Sequence, residues 1–209
     1  MKICVIGAGA IGGFLGTRLA LAGTARVSAL ARGPTLVALR DHGWRLQEGA
    51  NLLQAPAALA ADDPRELGLQ DLLVITVKSP ALPALAPTLA PLLSPQTIVL
   101  PAMNGVPWWF GAGIEALGKR PLESVDPGGV IAAALPFSQV VGCVVHAAVS
   151  TAAPGIAVHR MGHGLILGEP AEASRRGCES SQRCSAAPAS RRAHRRTSAT
   201  TSGTSFGAT

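Results

Sequence analysis

The sequence predicts an α/β fold of the Rossmann-like, doubly wound type, with a mostly parallel sheet. A glycine-rich turn follows a short apolar run at the N-terminus, and strand-like runs alternate with helical patterns as far as about residue 168. Basic or polar residues follow several of the strand-like runs. Alternating strands and helices are typical of parallel sheets whose crossovers are right-handed.

The first βαβ unit occupies the start of the chain. Runs rich in β-branched and apolar residues predict buried strands over Lys2–Ile6 and Arg26–Leu30, with a helical pattern between them. In the intervening GxGxxG turn, Gly7 would form the tight turn, Gly9 would let a pyrophosphate approach the backbone, and Gly12 would let the helix pack on the sheet. The alternative is a purely structural turn. The predicted pyrophosphate-binding residues are Gly7, Ala8, Gly9, Ala10, Ile11 and Gly12.

The residue after the second strand indicates which dinucleotide would bind. NAD sites place an acid there for the ribose 2′-hydroxyl, whereas NADP sites tend to have an arginine nearby for the 2′-phosphate. The chain has no acid between Gly12 and Asp41, and Arg32 stands at the position in question. NADP(H) is therefore favoured, the alternative being that Arg32 is a solvated loop residue.

The later elements follow the same alternation. A short helix is predicted over 35–40, and edge strands of a hairpin-like excursion over 44–46 and 51–53. A buried strand over 71–77, a proline-punctuated helix over 82–92 and a strand over 97–100 complete the sheet. Further strands are predicted at 140–148, 156–159 and 165–168, the last two as an antiparallel hairpin turning through 162–164.

Two polar residues after strands extend the predicted crevice. Lys78 and Asn104 follow strands of the parallel sheet, so they lie at the same carboxyl edge as the glycine turn and Arg32. Ligands of such sheets bind at that edge. A lysine suits a phosphate or carboxylate, and an asparagine amide both donates and accepts hydrogen bonds. The alternatives are a solvated lysine and an asparagine that forms a turn before Gly105.

The net charge of +6 resides almost wholly after residue 170. We divide the chain into a dinucleotide-binding domain, 1–170, and a Ser/Arg-rich tail, 171–209, that contains no Leu, Ile, Val or Met and is expected to be disordered. Translation in a shifted reading frame would give such a composition. A basic tail could bind nucleic acid, but it lacks interleaved aromatic residues, so nucleic acid is not the expected partner.

The remaining composition predicts a cytoplasmic protein with reduced thiols. No apolar run is long enough to span a membrane, and the first strand starts too early for a signal peptide. The four cysteines do not have metal-ligand spacing, so no metal site is expected.

The pattern over residues 1 to about 170 resembles the ketopantoate reductase (2-dehydropantoate 2-reductase) family. The matching features are the glycine turn after Met1-Lys2-Ile3, Arg32, Val77-Lys78, Asn104-Gly105 and His146-Ala147-Ala148. The resemblance implies NADPH-dependent reduction of ketopantoate to pantoate, a step of pantothenate synthesis. It assigns the pyrophosphate to the glycine turn, the 2′-phosphate to Arg32, a cofactor contact to Lys78, cofactor and substrate contacts to Asn104, and a backbone contact with the nicotinamide end to Ala148.

The chain departs from the family in its second half. The resemblance implies an all-helical C-terminal domain with a lysine as proton donor, yet the sequence has no lysine after Lys119, so we expect that domain to be missing. His146, His159 and His163 are conceivable substitute acids but fit strand or turn positions better, and no catalytic residue is assigned. We expect a truncated, impaired reductase, with a non-catalytic NADP(H)-binding module as the alternative.

Overall fold

The computed structural model describes residues 1–110 and 121–169, which form two β-sheets with helices packed against them. The predicted tail, 171–209, lies outside the described residues. The strands and α-helices are β1 (Lys2–Ile6), α1 (Ala10–Leu21), β2 (Arg26–Leu30), α2 (Gly33–His42), β3 (Trp44–Glu48), β4 (Asn51–Ala55), β5 (Ala60–Ala61), α3 (Pro64–Leu67), β6 (Leu72–Ile75), α4 (Leu82–Leu85), β7 (Ile98–Pro101), α5 (Val130–Ala134), β8 (Gly142–Ala153) and β9 (Ile156–Gly168).

The first sheet is parallel throughout and has the strand order β5-β2-β1-β6-β7. Both of its faces are buried, as the apolar strands predict. Along β1, Ile3 and Val5 join the core beneath α1, whereas Cys4 and Ile6 join the core on the opposite face. The α/β prediction is confirmed, and the two strands of the first βαβ unit begin and end where the sequence places them.

The second sheet has the order β4-β3-β9-β8 and covers the outer side of α1. The prediction that 44–46 is an edge strand is wrong, because β3 pairs with β4 on one side and with β9 on the other. The prediction of a hairpin through 162–164 is also wrong, since those residues lie within β9. The hairpin of β8 and β9 instead turns at Pro154 and Gly155, where a proline and a glycine with φ of +70° suit a tight connection.

Glycines on α1 let the helix lie between the two sheets. A Cβ at Gly13 would stand 2.8 Å from Cβ of Ala157, and a Cβ at Gly16 would overlap the indole ring of Trp44. The Trp44 side chain is fully buried, and its Nε1 donates a hydrogen bond to the Val27 carbonyl at 3.3 Å. The second sheet therefore approaches the backbone of α1 closely at Gly13 and Gly16, where the helix has no side chain.

The segment between β6 and β7 departs from the predicted single helix. Only the four residues of α4 are α-helical, and 3₁₀ segments flank them at Ser79–Ala81 and Ala86–Leu92. Prolines recur through this segment, and each removes a backbone donor that a longer α-helix needs. Leu82, Leu89 and Leu92 are nevertheless buried against the sheet, as the apolar spacing predicts.

None of the helices in the described part of the chain is long and apolar enough to cross a membrane.

Candidate functional site

A cavity of about 930 Å³ opens at the carboxyl edge of the parallel sheet. Its walls are the glycine turn after β1, the segments after β2 and β5, and the 3₁₀ and helical segment after β6. Of the predicted site residues, Gly7, Ala8, Gly9 and Arg32 line this cavity. The prediction that the carboxyl ends of the parallel strands form one crevice thus agrees with the geometry after β1, β2, β5 and β6, but not after β7.

The glycines of the turn differ in what surrounds them. Gly7 has a φ of +88°, and a Cβ there would stand 2.6 Å from Cγ1 of Val77. A Cβ at Gly12 would come closer than 3.0 Å to the Gly7 carbonyl oxygen. At Gly9, by contrast, no described atom lies within 4 Å of the Cβ position. Gly7 and Gly12 are therefore required by the fold, while Gly9 leaves space beside the backbone.

That space lies at the N-terminus of α1. Gly9 is the N-cap residue, no side chain of the described residues caps the helix, and its first turn contains no acid. The first amide groups of a helix have no partner within the helix, and together with the helix dipole they favour an anion. An uncapped helix end beside open space at Gly9 fits a pyrophosphate.

Thr76, which follows β6, holds the glycine turn in place. Its hydroxyl lies 3.1 Å from the Ile6 carbonyl oxygen and also contacts the carbonyl oxygen of Gly7. The turn is thus anchored to the neighbouring strand as well as to its own. Sequence reasoning did not identify this residue, although a hydroxyl directly after a buried apolar strand is the available signal.

The cavity contains two arginines, of which the sequence indicated one. Arg32 is exposed at the N-cap of α2, and Arg65 lies on α3. Arg65 pairs with Asp63, whose carboxylate also accepts the Arg65 backbone N–H at 2.9 Å. These hydrogen bonds hold the pKa of Asp63 below its ordinary value. Arg65 was missed because β5, which precedes it, is only two residues long.

Six predicted residues lie outside the described lining of the cavity. Ala10, Ile11 and Gly12 form the first turn of α1, and the other three lie elsewhere. Lys78 is exposed directly after Val77, which does line it. Ala148 lies on β8, opposite Met161 of β9. Asn104 follows β7, and its amide group bonds both backbone atoms of one residue: Nδ2 donates to the Val145 carbonyl at 3.0 Å, and Oδ1 accepts the Val145 N–H at 2.9 Å. Asn104 therefore joins the two sheets, and one donor and one acceptor site of its amide remain for a ligand.

The sequence profile of the ketopantoate reductase PanE/ApbA family matches residues 3–172. The chain belongs to this family. A 2-dehydropantoate 2-reductase of Mesorhizobium japonicum is 44% identical over 172 residues, which are 81% of this chain and 52% of that protein. The chain thus spans about half the length of the curated relative it matches.

Solved structures agree with the family assignment. A structure assigned as a ketopantoate reductase from Ralstonia solanacearum has a TM-score of 0.81 and 48% identity, covering 87% of this chain and 56% of that one. For a 2-dehydropantoate 2-reductase from Porphyromonas gingivalis the TM-score is 0.69 at 24% identity, covering 88% and 60%, which shows the fold alone.

The resemblance identified from the sequence is therefore confirmed, as is the Rossmann-like fold. The ketopantoate reductases are oxidoreductases, so the chain belongs to an oxidoreductase family.

Proposed function

We propose that this chain binds NADPH in the cavity at the carboxyl edge of the parallel sheet and carries the cofactor-binding half of a 2-dehydropantoate 2-reductase. The observation that carries the proposal is the open space at Gly9 beside the uncapped N-terminus of α1, within a cavity that also contains Arg32 and Arg65. We take residues 1–170 as the cofactor-binding domain and 171–209 as a separate tail.

The residues have distinct roles in this proposal. Gly7, Ala8, Gly9, Ala10, Ile11 and Gly12 hold the pyrophosphate through backbone amides. Arg32 binds the ribose 2′-phosphate, because a guanidinium forms two parallel hydrogen bonds with a phosphate. Arg65 lies in the same cavity, but its charge is paired with Asp63, which leaves Arg32 for the phosphate.

Three residues outside the cavity lining, Lys78, Ala148 and Asn104, would act at the nicotinamide side. Lys78 contacts the cofactor, Ala148 offers its backbone, and Asn104 uses the remaining donor and acceptor of its amide for cofactor and keto acid. When bound, NADPH supplies a hydride, while the protein positions the reactants.

Reduction of the C2 ketone of ketopantoate to pantoate also needs a proton donor. Among the described residues that line the cavity, the titratable side chains are Asp62, Asp63, Arg32 and Arg65. Asp63 is committed to Arg65 with a lowered pKa, which makes it a poor acid near neutral pH. Asp62 and Asp63 line the cavity that we assign to the phosphates, not the nicotinamide side where we place Asn104 and the keto acid. We therefore propose that the chain binds NADPH but reduces ketopantoate slowly, and we assign no catalytic residue.

A titration with NADPH and NADH tests the cofactor site. Arg32→Ala should weaken NADPH binding by about ten- to hundredfold, the range expected for lost charge-assisted hydrogen bonds, and leave NADH binding unchanged. Arg26→Ala is the matched control, because Arg26 is exposed and opens the strand whose other end leads to Arg32. Equal loss of NADPH and NADH binding in Arg32→Ala would contradict the 2′-phosphate assignment.

A second measurement separates the reductase from a non-catalytic NADP(H)-binding module. Oxidation of NADPH is followed at saturating ketopantoate with the full chain and with a full-length family member. Slow but substrate-dependent oxidation supports an impaired reductase, and none at all supports the binding module. A rate equal to that of the full-length enzyme would refute the impairment.

A further inference from the structure

Three potential metal ligands meet on the second sheet, away from the cofactor cavity. Glu48 ends β3, and His159 and His163 lie on β9. One ligand atom from each lies within 4.8 Å of the other two. None of the three lines the cavity, and the proposed cofactor site uses none of them.

The path of β9 brings the two histidines together. Residues four positions apart in a regular strand are separated by about 13 Å. The centroids of the His159 and His163 rings are only 4.3 Å apart, because the pairing of β8 with β9 shifts register in this region. Gly162 makes this bulge in β9 possible, because its φ is +75° and a Cβ there would overlap the carbonyl oxygen of His146. Such bulges often redirect side chains at functional sites.

Hydrogen bonding fixes which nitrogen of His159 is available. Its Nε2 lies 2.6 Å from the Gly162 carbonyl oxygen, which can only accept, so Nε2 carries the hydrogen. This leaves Nδ1 facing Oε1 of Glu48 at 3.4 Å. Metal-binding histidines are commonly oriented in this way, by donating the other ring N–H to a carbonyl. Phe14 stacks on the His159 ring at 5.1 Å and restricts its orientation further.

We propose that Glu48, His159 and His163 bind a divalent transition-metal ion of the Zn²⁺ class. Metal–ligand bonds of about 2.0–2.1 Å in a tetrahedron separate two ligand atoms by about 3.3–3.4 Å. The distance from Nδ1 of His159 to Oε1 of Glu48 already has this value, at 3.4 Å. Three protein ligands leave a fourth position for water, and imidazole with carboxylate suits zinc rather than magnesium.

The site would connect two strands that are distant in sequence. Glu48 and His159 are register partners in the parallel pairing of β3 with β9, so a bound ion joins them beside the backbone ladder. Arg18 also binds Oε1 of Glu48. Its side chain is 41% exposed and can turn into solvent, and no described hydrogen bond occupies Oε2. Once Arg18 turns away, Oε1, the oxygen that faces Nδ1 of His159, is free for the ion.

Two titrations of the metal-free full chain test the proposal. Co²⁺ is added first, because its visible absorption reports coordination, and Zn²⁺ is then added in competition. The chain carries Cys178→Ser and Cys184→Ser, which removes thiol ligands of the tail. We expect one ion per chain, displacement of Co²⁺ by Zn²⁺, no effect of Mg²⁺, and a higher melting temperature with Zn²⁺.

Two variants locate the ion. His163→Gln and Glu48→Gln should each weaken binding at least tenfold, and His163 is exposed enough for its replacement to leave the fold intact. His42→Gln, which alters an exposed histidine at the end of α2, should bind as the parent does. Absence of stoichiometric binding, or equal binding by the parent and His163→Gln, would overturn the proposal.

Discussion

Replacing Gly9 and Gly12 separately by alanine distinguishes the ligand-binding glycine from the structural one. Gly12 lies inside α1, where alanine gains about 1 kcal/mol of helix propensity. Its Cβ would overlap the Gly7 carbonyl oxygen, which belongs to the backbone and cannot move to another rotamer. Overpacking of this kind costs up to about 3 kcal/mol, so Gly12→Ala should lose about 2 kcal/mol of unfolding free energy.

Gly9→Ala should leave the unfolding free energy nearly unchanged and weaken NADPH binding. Gly9 has a φ of −77°, which alanine adopts freely, and open space at its Cβ, so its unfolding free energy should change by less than about 0.5 kcal/mol. The added methyl group occupies the space that we assign to the pyrophosphate. NADPH binding should therefore weaken at least about tenfold, or about 1.4 kcal/mol.

Urea unfolding and NADPH titration of the same preparations measure both effects. With a urea dependence of about 2 kcal/mol per molar, the midpoint of Gly12→Ala should fall by about 1 M, and that of Gly9→Ala should stay within about 0.3 M of the parent. Unchanged NADPH affinity in Gly9→Ala would refute the cofactor assignment. A Gly12→Ala protein as stable as the parent would refute the packing argument.

Three further outcomes are expected. Gly16→Ala forces a methyl group into the indole of Trp44 and should lower the unfolding free energy by about 1–3 kcal/mol, whereas an unchanged urea midpoint would contradict the contact. Asn104→Ala leaves backbone groups of β8 without their partners and should cost about 1–3 kcal/mol in the same assay, even without ligand. Burial raises the pKa of Cys4 to about 12 and of Cys143 to about 11 from an ordinary 9.0. Only the unfolded chain then loses these protons above pH 9, so stability should fall as the pH rises from about 9 towards 11, and no fall would contradict their burial.

The first βαβ unit could be predicted residue by residue because its signals are local. Lys2–Ile6 is an apolar run that ends at Gly7, Arg26–Leu30 is an apolar run between Gly23 and Gly33, and parallel pairing buries both of their faces. The same reasoning placed Arg32 in the cavity, because parallel strands end at the same edge of the sheet and Arg32 follows β2 closely.

The second sheet could not be predicted in the same way, because its pairing is not local. Glu48 and His159 are register partners although 110 intervening residues separate them. The sequence of neither strand indicates which other strand it pairs with. The sequence therefore placed 44–46 at an edge and a turn at 162–164. The glycines there indicate a bulge equally well, and only the pairing with β8 on both sides of them distinguishes the two.

Side chains that act through backbone contacts were equally hard to identify. Thr76 anchors the glycine turn and Arg65 pairs with Asp63 in the cavity, and both contacts depend on which carbonyl or carboxylate the side chain meets, not on sequence spacing. Asn104 shows the reverse difficulty. Its place at a strand end indicated a ligand contact. The structure shows that its amide also forms two hydrogen bonds with the backbone of Val145 on β8.

One helix links the cofactor site to the second sheet through glycines on its different faces. Gly12 lets α1 approach the glycine turn, whereas Gly13 and Gly16 let β9 and β3 approach α1. Phe14, between them, packs its ring on His159. The glycine-rich beginning of α1 is therefore longer than pyrophosphate binding alone requires. Gly9, at its N-cap, leaves space for a ligand. Gly12, Gly13 and Gly16 are needed because the helix is covered on both sides by β-structure.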